Sequence, residues 1–297
     1  MSRSIRAMAL SGLLALGTAA LAAEKPPKLH VYNWSDYIAE DTIAQFEQTT
    51  GIQVVYDVYD SNEILEAKLL AGHSGYDLVF PTAQPFAKRH LEAQLYLPLE
   101  RAKLSNYGNL DQDILRGLES ADPGNRYLVP YMWGSTGIGY NVEQVEQHLG
   151  ADAPLDSWRL LFDPALAQKL APCGISLLDD EVEGVSAALM YLGKDPNSTD
   201  SADIAAAEAA LRAIRPHIRY FHSSQYINDL ANGDLCVAHG YSGDVLQARD
   251  RAVEANNGVD VALTIPRDQV YASVVNNSTD ATVRWWLDQP GVDRATY

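Results

Sequence analysis

The sequence predicts an α/β protein made of two successive units. Residues 28–80 alternate short β-rich runs with helically spaced apolar residues, and a similar alternation starts again after residue 142. Between them lies 127–141, an extended aromatic run with three glycines, which we expect to cross from one unit to the next. Strands separated by helices at such short spacings form parallel sheets, so the predicted class is α/β.

The first unit contains a βαβαβ pattern. Its β-branched and aromatic runs predict strands, and each helical pattern between them ends at a glycine. The predicted strands are 29–32, 52–59 and 76–80, and the predicted helices are 38–50 and 61–72.

The second unit repeats this alternation with more helices. The predicted strands are 174–178, 218–221 and the run from 236 into a glycine turn, and the predicted helices are 157–162, 185–192, 202–214, 224–232 and 245–255. The segment 259–266 is extended, and we expect it to cross back towards the first unit.

A binding lip follows the first predicted strand. It consists of Trp34, Ser35, Asp36 and Tyr37 in succession. Ligands of open α/β sheets bind at the carboxyl ends of strands. An aromatic face beside a carboxylate suits an alkylammonium group, through cation–π attraction and charged hydrogen bonds. Two structural roles compete with this one: Trp34 as a core residue and Asp36 as a helix cap.

The charge balance disfavours nucleic acid as a partner. The 297-residue chain has a formal net charge of −17, whereas nucleic-acid binding requires basic patches. The sequence also lacks a nucleophile elbow, a phosphate-binding loop and metal-ligand spacing, so no cofactor or metal is expected. An acidic protein is compatible with cationic ligands.

The amino terminus predicts export. Residues 1–22 combine a positive region at Arg3 and Arg6, a short apolar run and a small-residue cleavage site, which is typical of a signal peptide. The expected location is the bacterial periplasm. In that oxidising compartment the two cysteines, Cys173 and Cys236, most simply form one disulfide, while a metal-binding role is the weaker alternative.

Several segments together resemble the periplasmic polyamine-binding proteins, the putrescine and spermidine receptors of ATP-driven (ABC) importers. The segments are VYNWSDYI (31–38), YDLV (76–79), PYMWGSTGIGYN (130–141), YLGKDPNST (191–199), RYFHSSQYINDLANGD (219–234) and GYSGD (240–244). The resemblance implies a two-lobed type II periplasmic binding protein, with a hinge between the lobes and the ligand in the cleft. It also implies a permease partner at the inner membrane, and we expect a monomer.

The resemblance implies ligand roles position by position. The four lip residues match the ligand loop of the first lobe, and Cys173 and Cys236 match the family's disulfide. The other implied ligand residues are Thr82, Asp180, Glu183, Tyr241 and Asp244. Two alternatives stay open among them: Asp244 as the cap of the helix that follows, and Glu183 as a solvated surface charge.

The implied domain organisation is a signal peptide at 1–22, a first lobe at 23–134, a second lobe at 135–258, and a return crossover with an incomplete first-lobe tail at 259–297. After Pro266 the resemblance is expected to stop, because the apolar residues there show no regular helical or strand spacing and the sequence departs from the family's pattern. We therefore expect missing ligand contacts and exposed apolar surface in the first lobe.

Three functions compete. The leading hypothesis is a receptor that captures polyamines for an importer. A periplasmic polyamine sensor could use the same fold, and a hydrolase could use the acidic pairs Asp179/Asp180 and Asp36/Asp244 as general acid and base. The residues do not decide between putrescine and spermidine.

Overall fold

The computed structural model describes residues 26–267, so the predicted signal peptide and the tail beyond Arg267 lie outside the described residues. The first lobe is built on a three-stranded parallel sheet in the order β2–β1–β3. Its elements are β1 (Lys28–Trp34), α1 (Thr42–Thr50), β2 (Gln53–Tyr59), α2 (Asn62–Leu70), β3 (Leu78–Val79), α3 (Lys88–Glu92) and α4 (Gln112–Leu118), with short 3₁₀ turns at Arg101–Lys103 and Tyr107–Asn109. The predicted βαβαβ order is thereby confirmed.

The second lobe is a five-stranded mixed sheet in the order β6–β5–β7–β4–β8. Its elements are β4 (Thr136–Asn141), α5 (Val142–Leu149), α6 (Arg159–Phe162), α7 (Pro164–Leu170), β5 (Ile175–Leu177), α8 (Glu181–Tyr191), α9 (Ser201–Ile214), β6 (Tyr220–Phe221), α10 (Gln225–Asn232), β7 (Val237–Tyr241), α11 (Ser242–Ala255) and β8 (Val261–Thr264). Strands β5, β6 and β7 are parallel, and β4 runs antiparallel to both β7 and β8.

The two lobes differ in how much apolar surface they bury. Both faces of the second sheet are covered, one by a cluster around Trp158 and the other by a cluster around Tyr226. The cluster beneath the first sheet is small and centres on Tyr32, Tyr59 and Leu65. Val58 on the first sheet is 53% exposed. The expectation about the first-lobe tail falls on residues outside the described range.

The disulfide expected from the two cysteines is present between Cys173 and Cys236. It joins the end of α7 to the start of β7, two segments of the second-lobe core that are 63 positions apart in sequence. None of the helices within residues 26–267 is long and apolar enough to cross a membrane.

Several element boundaries differ from the sequence prediction. Helix α1 begins at Thr42 rather than at 38, and the strands predicted at 76–80 and 218–221 are regular only over Leu78–Val79 and Tyr220–Phe221. The expected strand at 127–141 is regular only from Thr136, because the backbone N–H groups of Tyr127 and Leu128 donate to the buried carboxylate of Asp122 instead of to a neighbouring strand. Helix α8 begins at Glu181 rather than at 185, since Asp180 caps it. Helix α11 begins at Ser242 rather than at 245.

The crossing segment 259–266 contributes an edge strand to the second lobe. Residues 261–264 pair with β4, so this part of the segment hydrogen-bonds within the second sheet. The division of the chain into lobes at particular residues stays a prediction.

Candidate functional site

The lip lies where β1 ends, opposite the end of β7 in the second lobe. Trp34 is the last residue of β1, and the Ser35 amide donates to the Tyr59 carbonyl at 3.0 Å, which continues the strand pairing by one residue. Asp36 then takes a left-handed conformation with φ of 62°, which turns the chain away from the sheet. Asp41, not Asp36, occupies the N-cap position of helix α1, so Asp36 is not the cap of this helix.

A cavity of about 270 Å³ opens between the lip and the first turn of α11. First-lobe residues, the segment before β4 and second-lobe residues all line it. They are Trp34, Asp36, Tyr37, Thr82, Met132, Trp133, Gly134, Ser135, Tyr241, Gly243, Asp244 and Gln247. Six of the nine residues expected to bind ligand are in this set; Ser35, Asp180 and Glu183 are not.

Aromatic rings form the walls of the cavity. The Trp34 indole N–H donates to the Phe80 carbonyl at 2.8 Å, which fixes the ring plane at the edge of the first sheet. Its ring packs 4.8 Å from Tyr59 on one side and 6.2 Å from Tyr241 of the second lobe on the other. Trp34 therefore lines the cavity and also packs against the first-lobe core cluster, so both interpretations hold in part.

Asp244 is the buried carboxylate of the cavity. It lies in the first turn of α11, is 3% exposed, and accepts a hydrogen bond from the Tyr226 hydroxyl at 2.8 Å. Burial raises its pKa to about 6, although hydrogen bonds from Tyr226 and Tyr37 lower it in part. Tyr241 precedes α11 at its N-cap position, so Asp244 does not cap this helix, and Asp244 lines the cavity.

Asp36 is paired with a protein cation from the other lobe. The Arg251 guanidinium of α11 lies 2.7 Å from the Asp36 carboxylate, and it also donates to Asn228 at 2.6 Å and Gln247 at 2.5 Å. The Asp36 carboxylate is about one-third exposed, which leaves the pair accessible to water. Asp36 is therefore a carboxylate that a protein cation already partly neutralises.

Asp180 and Glu183 lie at the N-terminus of α8 and are not among the residues that line the cavity. Asp180 accepts from the amides of Val182 and Glu183 at 3.0 and 3.1 Å, so it is the cap of this helix. Glu183 is 9% exposed, which excludes the solvated-surface role. Burial and the neighbouring Asp180 carboxylate raise the pKa of Glu183 to about 8.

Thr82 and Ser35 have different structural roles. Thr82 lines the cavity and is held by Asn62, whose side-chain amide donates to the Thr82 hydroxyl at 2.8 Å and accepts from the Thr82 amide at 3.0 Å. The Ser35 hydroxyl faces the Tyr59 carbonyl at 3.5 Å, in the direction of the sheet.

Sequence reasoning missed two residues that shape the site. Tyr226 donates to Asp244 and accepts from the Tyr241 amide at 2.9 Å, so it positions both residues. Arg251 is the cation that binds Asp36. Tyr226 lies in a helical segment that resembles the family, but nothing in its local pattern distinguishes it from an ordinary core tyrosine. Within the described part of the chain, no group of His, Cys, Asp and Glu side chains could hold a metal ion.

Comparison with known proteins identifies the family of this chain. The family model of the bacterial extracellular solute-binding proteins matches residues 41–290, which extends beyond Pro266, where the sequence resemblance was expected to end. The putrescine-binding periplasmic protein PotF of Escherichia coli is 54% identical over 261 residues, covering 88% of this chain and 70% of that protein. The putrescine-binding periplasmic protein SpuD of Pseudomonas aeruginosa is 52% identical over 266 residues, covering 90% and 71%.

A solved structure supports the same fold. The spermidine/putrescine ABC transporter substrate-binding protein PotD from Streptococcus pneumoniae superimposes with a TM-score of 0.59 at 27% identity, over 84% of this chain and 70% of that one. The two α/β lobes with a cleft between them are the architecture expected for such proteins. The chain therefore belongs to the bacterial extracellular solute-binding protein family, in which the putrescine-binding proteins of E. coli and P. aeruginosa are among its relatives.

Proposed function

We propose that this protein is a periplasmic receptor that captures a polyamine between its lobes and delivers it to an ABC permease. The observation that carries the proposal is the cavity that Trp34, Tyr37 and Tyr241 line together with the buried Asp244. Aromatic faces attract a cation and bury its methylene groups, while the carboxylate accepts its N–H groups.

Burial makes the carboxylate selective for a cation. A desolvated carboxylate is unfavourable unless a charge or hydrogen-bond donors compensate for it. Among the described residues, Asp244 is compensated by the hydroxyls of Tyr226 and Tyr37 and weakly by the charge of Arg251. An alkylammonium group supplies three donors and a positive charge in a compact volume. An anionic or neutral ligand would leave the charge of Asp244 without compensation.

The relatives narrow the choice of ligand. Proteins 54% and 52% identical to this chain are putrescine-binding, whereas the spermidine/putrescine-binding protein of E. coli is 34% identical. Putrescine is therefore the first ligand to test. Since these relatives are binding proteins of the periplasm, we infer the same location and a role in binding rather than in catalysis.

Calorimetric titration of the purified protein with putrescine, spermidine and arginine tests the proposal. We expect tight binding of putrescine and much weaker binding of arginine, whose carboxylate would approach Asp244 unfavourably. An Asp244→Asn variant that keeps its thermal stability should bind putrescine at least about tenfold more weakly, because it loses a charged hydrogen bond. Absence of binding to either polyamine would contradict the proposed function.

A further inference from the structure

A fully buried tyrosine of the second lobe bonds to two residues that line the cavity. Tyr226, in α10, donates its hydroxyl hydrogen to the Asp244 carboxylate at 2.8 Å, and its hydroxyl oxygen accepts from the Tyr241 amide at 2.9 Å. An amide N–H can only donate, so the single hydroxyl hydrogen of Tyr226 is free to be directed at Asp244. The backbone of β7 therefore orients the donor that faces the buried carboxylate.

The ring of Tyr226 lies against β7 at a position that has no side chain. A Cβ atom at Gly240 would lie 2.6 Å from Cε2 and 2.8 Å from Cζ of Tyr226, closer than non-bonded atoms approach one another. The backbone of Gly240 is not in the left-handed region, so its conformation does not require a glycine. The missing side chain at Gly240 thus admits the tyrosine ring, which brings the hydroxyl within bonding distance of Asp244.

Four titratable or charged groups face the Asp244 carboxyl. Tyr226 of α10 and Tyr37 of the lip donate hydrogen bonds to it. Asp36 of the lip disfavours its negative charge, and Arg251 of α11 favours it. Burial raises the pKa of Asp244, and the hydrogen bond from Tyr226 is the largest of the effects that lower it.

The two tyrosine donors belong to different lobes. Tyr37 follows β1 in the first lobe, so its bond to Asp244 requires the lobes to be together. Tyr226 and Asp244 both belong to the second lobe, and Tyr226 packs in the core cluster that also holds the apolar face of α11. Separation of the lobes would therefore remove the Tyr37 donor and leave the Tyr226 donor in place.

We propose that Tyr226 is a positioning residue that keeps Asp244 ionised before the ligand arrives and so sets the lowest pH at which the receptor captures a cation. The inference rests on the proposed polyamine function and deepens it. A protonated carboxyl has no charge and fewer free acceptor sites for an ammonium group, so it binds a cation weakly. A buried carboxyl with fewer hydrogen-bond donors keeps its proton to a higher pH.

Calorimetric titration with putrescine at pH 6 and pH 8 tests the proposal on wild type, Tyr226→Phe and Tyr220→Phe. Phenylalanine keeps the ring and removes only the hydroxyl. Tyr220→Phe is the matched control, because the Tyr220 hydroxyl also donates to an aspartate of the second lobe, Asp229, at 2.6 Å, and neither residue lines the cavity. This control should bind putrescine within about twofold of wild type at both pH values.

We expect the loss of affinity in Tyr226→Phe to depend on pH. At pH 8 the variant should bind roughly a few-fold more weakly than wild type, because the Tyr241 amide loses its acceptor. At pH 6 the loss should be about fivefold greater still, because the Asp244 carboxyl of the variant is then mostly protonated. Comparing the two proteins at each pH cancels every pH dependence that they share.

The same substitution in an Asp244→Asn background separates the electrostatic role from a structural one. An asparagine does not titrate, so Tyr226→Phe should there change putrescine affinity by the same factor at pH 6 and pH 8. An additional loss at pH 6 that persists in this background would overturn the proposal, because the hydroxyl would then act through another group.

The outcomes also separate this inference from the proposed function. Tight putrescine binding by wild type, with equal losses at pH 6 and pH 8 in Tyr226→Phe, would overturn the role of Tyr226 and leave the receptor function standing. A Tyr226→Phe protein that does not fold would overturn that role as well, because the hydroxyl would then serve the fold. Failure of wild type to bind putrescine at either pH would overturn the receptor function itself.

Discussion

Binding of a polyamine should release close to one proton near pH 7. Glu183 has a pKa of about 8 and Asp244 a pKa of about 6, whereas an alkylammonium group, like a lysine side chain, titrates near pH 10 and stays charged. At pH 7 Glu183 is therefore about 90% protonated and Asp244 about 10%. A bound diammonium ligand favours both carboxylates in their ionised form, so these protons leave.

The same equilibrium makes affinity depend on pH. Keeping Glu183 ionised at pH 7, one unit below its pKa, costs about 1.4 kcal/mol. Affinity should therefore rise roughly fivefold from pH 7 to pH 8, as the protonated fraction of Glu183 falls. From pH 6 to pH 7 the rise should be steeper, on the order of ten- to twentyfold, because Asp244 also loses its proton there.

The assay is calorimetry at pH 7 in buffers with different ionisation enthalpies. The slope of the observed enthalpy against the buffer ionisation enthalpy gives the number of protons released. Glu183→Gln is the control. This variant should release only about one-tenth of a proton on binding, because Asp244 is then the carboxylate that still loses a proton. A slope near zero in wild type, together with equal affinities at pH 6 and pH 8, would refute the electrostatic description of the cleft.

Three further predictions concern the aromatic wall, the contact between lobes and the disulfide. Trp34→Ala should weaken putrescine binding by roughly 1–3 kcal/mol through lost cation–π and apolar contact, and unchanged affinity in a folded variant would make Trp34 a bystander. Arg251→Gln should cost less than about 1 kcal/mol of affinity, because its pair with Asp36 is about one-third exposed; a larger loss would show that Asp36 depends on Arg251 for its position. Thiol titration of the unreduced, unfolded protein should find no free cysteine, and replacing Cys173 and Cys236 by serine should lower the free energy of unfolding by roughly 4 kcal/mol in urea. Two free thiols would contradict the presence of the disulfide, and an unchanged free energy of unfolding would contradict its stabilising role.

The sequence was sufficient for the βαβαβ succession and parallel pairing of the first lobe, and for the position of the lip at the end of β1. The short spacing between β-rich runs allows only parallel pairing with helical crossovers, and the structure has that pairing. The lip could be found because a strand end is a local feature: Trp34 closes β1 and the aromatic and acidic residues follow it directly. Glycines at 51 and 233 end α1 and α10 as expected, each with a positive φ.

Contacts between distant segments could not be predicted in this way. Arg251 and Asp36 are 215 positions apart, and no local pattern pairs them. Asp180 shows a second limit of prediction from sequence. An acidic residue before an apolar run is equally compatible with a helix cap and with a ligand-binding carboxylate. The structure shows that Asp180 caps α8, and this bond starts the helix four residues earlier than the apolar pattern alone indicates.

The edge contact between Trp34 and Tyr241 makes the cleft optically observable. The two rings belong to different lobes and lie 6.2 Å apart, so separation of the lobes would bring water to the indole. Trp158, by contrast, is 1% exposed inside the second lobe and would keep its surroundings. The intrinsic emission of Trp34 would then shift to longer wavelength on opening, so rapid-mixing fluorescence of the unlabelled protein could follow the rate at which the lobes close.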